Sequence, residues 1–202
     1  LIVLIGAFTG TESPLTVTQM LWINLIMDTF AAMALASLPP SESVMRDQPR
    51  DRRAFILNRP MMSEIFGAGG FFFIMLLFFL LVFKHADVDQ LGDMLSVNYI
   101  GVFAGIGTLG FWTEGSLSAY ELTLLFTIFV MTHFFYLFNA RAFETGRSAL
   151  HFAGCKGLLS IVVIILVGQI LMVETPVLQD FFNVVGLSLQ DWLIILVGSS
   201  FV

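Results

Sequence analysis

Apolar residues in this chain gather into long runs separated by short polar stretches, rather than alternating every second position as strands of a membrane barrel would. The runs are Leu15–Leu38, Met61–Phe83, Leu122–Phe138 and Gly157–Val173. Each is long enough, or nearly so, for a helix of about 20 residues crossing a hydrocarbon core of about 30 Å. Backbone polar groups in lipid must be bonded within the segment, so the pattern predicts helices. Two shorter apolar stretches, Leu1–Phe8 and Trp192–Val202, reach about half a span. The first opens without a start Met, a basic leader or a cleavage site. The expectation is an all-α membrane protein: a polytopic helix bundle of four complete and two partial transmembrane helices, cut from a longer parent.

Composition excludes a soluble domain. With 57% hydrophobic and 12% charged residues and 22 Phe among 202, a water-soluble fold would expose too much apolar surface. The net charge of −6 says less than the placement of the charges. Arg46, Arg50, Arg52, Arg53 and Arg59 fall between the second and third helices, and Arg141, Arg147 and Lys156 between the fourth and fifth. The alternate connections hold Glu12, then Asp87, Asp89, Asp93, Glu114 and Glu121, then Glu174, Asp180 and Asp191, with Lys84 the one cation. The positive-inside rule puts the arginine-bearing connections in the cytoplasm.

Local signals mark the helix ends. Pro39-Pro40 stops the second helix, because proline lacks a donor and disfavours helix in the residue before it. Pro60 suits the first turn of the third, after Asn58 and Arg59. The glycine-rich patch Tyr99–Trp112 in the external segment is too short to span; Gly101-x-x-x-Gly105 would allow close helix packing, but its length favours a packed loop or an interfacial helix. No internal repeat of the kind that builds secondary transporters is visible.

Against this apolar background one pair carries chemistry. Asp28 sits near the middle of Leu15–Leu38, with Asn24 four residues before it. An ionised carboxylate at the bilayer centre costs on the order of 3 kcal/mol, so an intramembrane Asp marks a pathway or ion site. At i and i+4 an amide and a carboxylate project from one α-helical face and offer hard oxygen donors suited to calcium. His133, beside Thr132 in the fourth helix, has two readings: a candidate ion-path residue, or a hydrogen-bonded histidine that glues helices together. Cys155, alone, makes neither a disulfide within the chain nor a zinc site. His85 and His151 lie in or near loops.

Pro14-Leu15, the run Gln19 to Thr29 with Asn24 and Asp28 inside it, Ala34-Leu35-Ala36 and Pro39-Pro40 resemble the sixth transmembrane helix of P-type calcium ATPases, the plasma-membrane class above all. Asn139-Ala140-Arg141, Gly168-Gln169-Ile170-Leu171 and Asp191-Trp192-Leu193 resemble later parts of the same family in the same order. The resemblance implies the carboxy-terminal part of the transmembrane domain: residues 1–8 ending the fifth helix, 15–38 the sixth, 61–83 the seventh, 122–138 the eighth, 157–173 the ninth and 190–202 starting the tenth.

It also implies calcium as the transported substrate, with Asn24 and Asp28 as ligands. Two residues do not fill a calcium shell of roughly six to eight oxygens, so the rest is expected from the family's fourth and fifth helices. ATP and magnesium would be bound outside this chain, by cytoplasmic domains that join the earlier helices and the lipid bilayer as its partners. No nucleic acid is implied. The membrane would be a plasma or bacterial inner membrane, and the segment alone would be inactive. Met27 departs from the sarcoplasmic-reticulum class, which carries threonine there; a thioether is a poor calcium ligand, which favours one ion site over two. His133 also departs, standing where relatives carry Gln or Glu. The residues leave open a P-type pump for manganese or another cation, and a passive cation channel or secondary exchanger lined by Asn24, Asp28 and His133. An Asp-Lys-Thr-Gly-Thr phosphorylation motif upstream in the parent separates a pump from those last two.

Overall fold

The computed structural model describes residues 2–8, 13–37, 57–86, 90–109, 117–142 and 156–202. Pro39-Pro40, Arg46, Arg50, Arg52, Arg53, Arg147, His151 and Cys155 lie outside the described residues, as do Glu12, Asp87, Asp89 and Glu114. Among the described residues every regular element is helical. In chain order these are α1 (Ile2–Phe8), α2 (Val17–Ala36), α3 (Arg59–His85), α4 (Tyr99–Leu109), α5 (Ala119–Ala142), α6 (Lys156–Glu174), α7 (Pro176–Phe182) and α8 (Leu189–Ser199), with a 3₁₀ turn at Leu91–Leu95. Four of them, α2, α3, α5 and α6, are long and apolar enough to cross a membrane. The all-α polytopic bundle expected from the sequence is what the chain forms.

The helix starts follow from capping chemistry. Thr16 opens α2 with a reciprocal cap: its hydroxyl accepts the Gln19 N–H at 3.3 Å, and the Gln19 amide oxygen accepts the Thr16 N–H at 3.0 Å. Asn58 Oδ1 accepts the Met61 N–H at 2.8 Å, and Pro60 sits in the first turn of α3, where its missing donor costs nothing. The 27 residues of α3 run about 40 Å at 1.5 Å per residue, more than the hydrocarbon thickness. Asn183, at φ 54°, ends α7 in the left-handed conformation that asparagine tolerates. The glycine-rich patch forms the helix α4 over Tyr99–Leu109, packed against α3.

Packing centres on α5. Two-thirds of its most apolar stretch is buried, against about a quarter to a third for α2, α3 and α6. Leu124, Phe126 and Met131 are sealed from solvent together with Leu80 of α3 and Leu158 of α6. Along α5 the hydroxyls of Thr123 and Thr132 donate to the carbonyls of Ala119 and Ile128, at 2.7 and 2.6 Å, which satisfies them within the helix.

The second helix departs from α geometry in its middle. Val17–Asn24 is α-helical, Leu25–Ala31 is π-helical, and Ala32–Ala36 returns to α. The change begins where the Leu25 N–H is shared between the carbonyls of Leu21 and Trp22. It closes where the Ala32 N–H reaches the Thr29 carbonyl. This helix lies antiparallel against α6: Ser37 approaches Gly157 at one end and Trp22 approaches Gly168 at the other. Glycines let two backbones come this close in a membrane bundle.

Candidate functional site

Asn24 is the last residue of the α-helical part of α2, and Asp28 lies in the fourth position of the π-helical segment. The side chains of Met27 and Asp28 lie outside the described residues. By α-helical spacing Asn24 and Asp28 would share one face. Here the turn between them is widened, with hydrogen bonds reaching one residue further than in an α-helix, and π segments of this kind recur at functional sites. No proline or glycine occurs within Leu25–Ala31, so no helix breaker explains the departure.

The Asn24 side chain is exposed and borders a groove of about 510 Å³. Val3 of α1, Ile23 of α2, Phe72 of α3 and both Phe129 and His133 of α5 line the same groove. The structure therefore brings together two of the three polar residues singled out from the sequence, Asn24 and His133, from helices more than a hundred residues apart. His133 also lines a second hollow of about 380 Å³ with Ile26, Leu35 and Tyr136, so its ring borders both.

The imidazole is held from several sides. Its Nδ1 lies 2.8 Å from the Phe129 carbonyl, and because a carbonyl only accepts, Nδ1 carries the hydrogen. The ring also packs against Phe129 and Phe72, with centroid separations of 4.2 and 4.5 Å. One turn further along, the Tyr136 hydroxyl donates to Glu64 of α3 at 2.7 Å. Among the described residues no three His, Cys, Asp or Glu side chains converge in a way that would hold a metal ion.

Three polar residues of the spans escaped the sequence argument as individuals. Gln19 and Gln169 are sealed from solvent, and Trp22 bonds to the latter: the indole N–H donates to Gln169 Oε1 at 2.9 Å. The signal was present, since a glutamine within an apolar span requires a partner.

The sequence model of the cation-transporting ATPase carboxy-terminal region matches residues 12–202, nearly the whole chain. The chain belongs to that family. Within it, the similarity is to plasma-membrane calcium pumps. The human plasma membrane calcium-transporting ATPase 3 is 35% identical over 152 residues, covering 73% of this chain and 11% of the relative. Human plasma membrane calcium-transporting ATPase 4 is 49% identical over 70 residues, a third of the chain. The Caenorhabditis elegans pump mca-1 is 29% identical over 199 residues, or 96% of the chain and 14% of the relative. The chain thus spans about a tenth of the length of the curated relatives it matches.

Proposed function

We propose that this chain forms the carboxy-terminal part of the ion-translocating domain of an ATP-driven calcium export pump, with Asn24 and Asp28 each giving oxygen to the transported ion. On this reading α1 ends the fifth membrane helix, α2 is the sixth, α3 the seventh, α5 the eighth and α6 the ninth, and α8 begins the tenth. The observation that carries the proposal is that the helix bearing Asn24 and Asp28 leaves α geometry directly after Asn24 and holds Asp28 inside the widened segment. Elsewhere in membrane transporters, breaks in a spanning helix supply ion ligands at the midplane. The names of the relatives, all plasma membrane calcium-transporting ATPases, support calcium and the plasma membrane.

The remaining ligands, the phosphorylated aspartate and the site for ATP and magnesium belong to other parts of the pump, so the segment alone does not turn over ATP. His133 forms a wall of the groove that Asn24 opens onto, held there by Phe129 and Phe72. The test is Asp28→Asn in the full-length pump. Calcium-dependent phosphorylation by ATP should be lost while the protein still inserts, because a carboxylate oxygen charge leaves the site. Asn24→Ala should weaken apparent calcium affinity without abolishing it. Normal calcium-activated phosphorylation in purified Asp28→Asn protein would reject the assignment.

A further inference from the structure

The helix that carries the candidate ion ligands is seated at one turn. Gln19 and Trp22, three residues apart, lie on one face of α2. The Gln19 amide donates to the Phe182 carbonyl at 3.1 Å, and the Trp22 ring meets the Phe182 ring edge-on at 5.8 Å. On α6 the Trp22 indole N–H reaches Gln169 Oε1 at 2.9 Å. Beside it, a Cβ added to Gly168 would lie 3.2 Å from both Cζ2 and Cη2 of the indole, closer than an ordinary contact. Gly168 leaves room for the ring and Gln169 supplies the acceptor.

Gln169 makes this arrangement costly. Accepting from Trp22 turns its amide nitrogen the other way, and that nitrogen is buried without a hydrogen-bond partner among the described residues. A buried donor left without an acceptor is destabilising, so a leucine would fill the same space with no such penalty. What leucine would not supply is a directional contact that fixes the rotation of α2. Asn24 lies two residues beyond Trp22, about 200° further round an α-helix, on the exposed face that opens to the groove. Holding Trp22 against α6 therefore aims Asn24 away from α6, just before the π-helical segment begins.

We infer that Gly168 and Gln169 form a seat for Trp22 that sets the rotation of α2, making Trp22 and Gln169 positioning residues for the calcium ligands. This rests on the calcium-site reading above. The test uses the full-length pump, with phosphorylation by ATP titrated against free calcium and normalised to inserted protein. Trp22→Phe, which keeps a ring and removes the donor, and Gln169→Leu should each raise the calcium needed for half-maximal phosphorylation by about fivefold, the effect of one hydrogen bond. The double variant should be no worse than either single change, because both remove the same contact. Gly168→Ala should shift affinity with Trp22 present and add little in the Trp22→Phe background, where the outer indole atoms that crowd position 168 are gone.

Maximal phosphorylation should stay near wild type in all five. If the variants lower thermal stability while calcium affinity stays unchanged, the seat is structural and the inference falls, with the site reading intact. Asp28→Asn, run alongside, separates the two: calcium-dependent phosphorylation that survives this change overturns the site reading and the inference with it.

Discussion

Asp191 Oδ1 accepts the backbone N–H of Leu91 at 3.1 Å, joining the first turn of α8 to the 3₁₀ turn that follows α3. The other carboxylate oxygen accepts the Ser188 N–H at 3.0 Å and the Ser188 hydroxyl at 2.7 Å, which caps α8. The Tyr120 hydroxyl bonds to the same carboxylate. One buried side chain thus gathers α8, α5 and the segment between α3 and α4 at one end of the bundle.

Removing it leaves several donors without their acceptor. Asp191→Ala should cost about 2 kcal/mol, the loss of a cap together with a Leu91 amide left with its longer bond to the Tyr120 hydroxyl at 3.3 Å. Asp191→Asn, which keeps one acceptor oxygen, should cost less. Melting of the purified pump and hydrogen exchange at the Leu91 amide check this: exchange should accelerate in Asp191→Ala, and unchanged exchange and melting would remove the clasp from the account of stability.

Asp191 also shows where the sequence stops being legible. Counted along the chain, Glu121, Glu174 and Asp191 read as acidic residues of the connections poor in Lys and Arg. In the fold Glu121 and Asp191 are buried in the first turns of α5 and α8. Glu174 accepts the Trp192 indole N–H at 2.7 Å. Charge tallies locate a helix end and say nothing about what meets there. The spanning helices themselves were legible because twenty apolar residues in lipid have one backbone solution. The π-helical segment was not: Leu25–Ala31 contains no breaker, and its hydrogen-bond shift depends on what packs against it. Asn24 and Asp28 stood out because polarity is rare in an apolar span, whereas the Trp22–Gln169 bond joins residues 147 positions apart, which spacing along one helix does not reveal.

The bond from Tyr136 to Glu64 ties α5 to α3 at 2.7 Å and offers a calibration of polar glue in this bundle. Interhelical hydrogen bonds in membranes are worth about 0.6 kcal/mol on average. Tyr136→Phe should therefore lower stability by about that much and leave calcium affinity unchanged. A loss several times larger in thermal melting would show that the contact organises more of the bundle than one pair.

Met27 bears on stoichiometry. If the proposed site is right and the thioether marks the absence of a second one, equilibrium labelling of the intact pump should give about one calcium per phosphorylatable enzyme, since sulfur is a poor ligand for this hard cation. Two tightly bound calcium ions per enzyme would show that oxygens from elsewhere fill a second site, and that Met27 carries no such meaning.

His133 decides between a wall and a proton path. An unperturbed histidine titrates near neutral pH, so a ring exchanging protons with the ion path would leave its mark on the pH dependence of transport. The contacts argue for a wall: Nδ1–H is committed to the Phe129 carbonyl, and the rings of Phe72 and Phe129 pack against the imidazole. A protonated imidazolium would gain a second N–H donor that needs its own acceptor. The expectation is that His133→Gln costs about 1 kcal/mol of stability through lost ring packing and leaves the pH profile of calcium transport superimposable on wild type. Parallel profiles normalised to inserted protein make the comparison. A flattened curve in His133→Gln would return the residue to the ion path, because glutamine keeps hydrogen-bonding capacity and does not titrate.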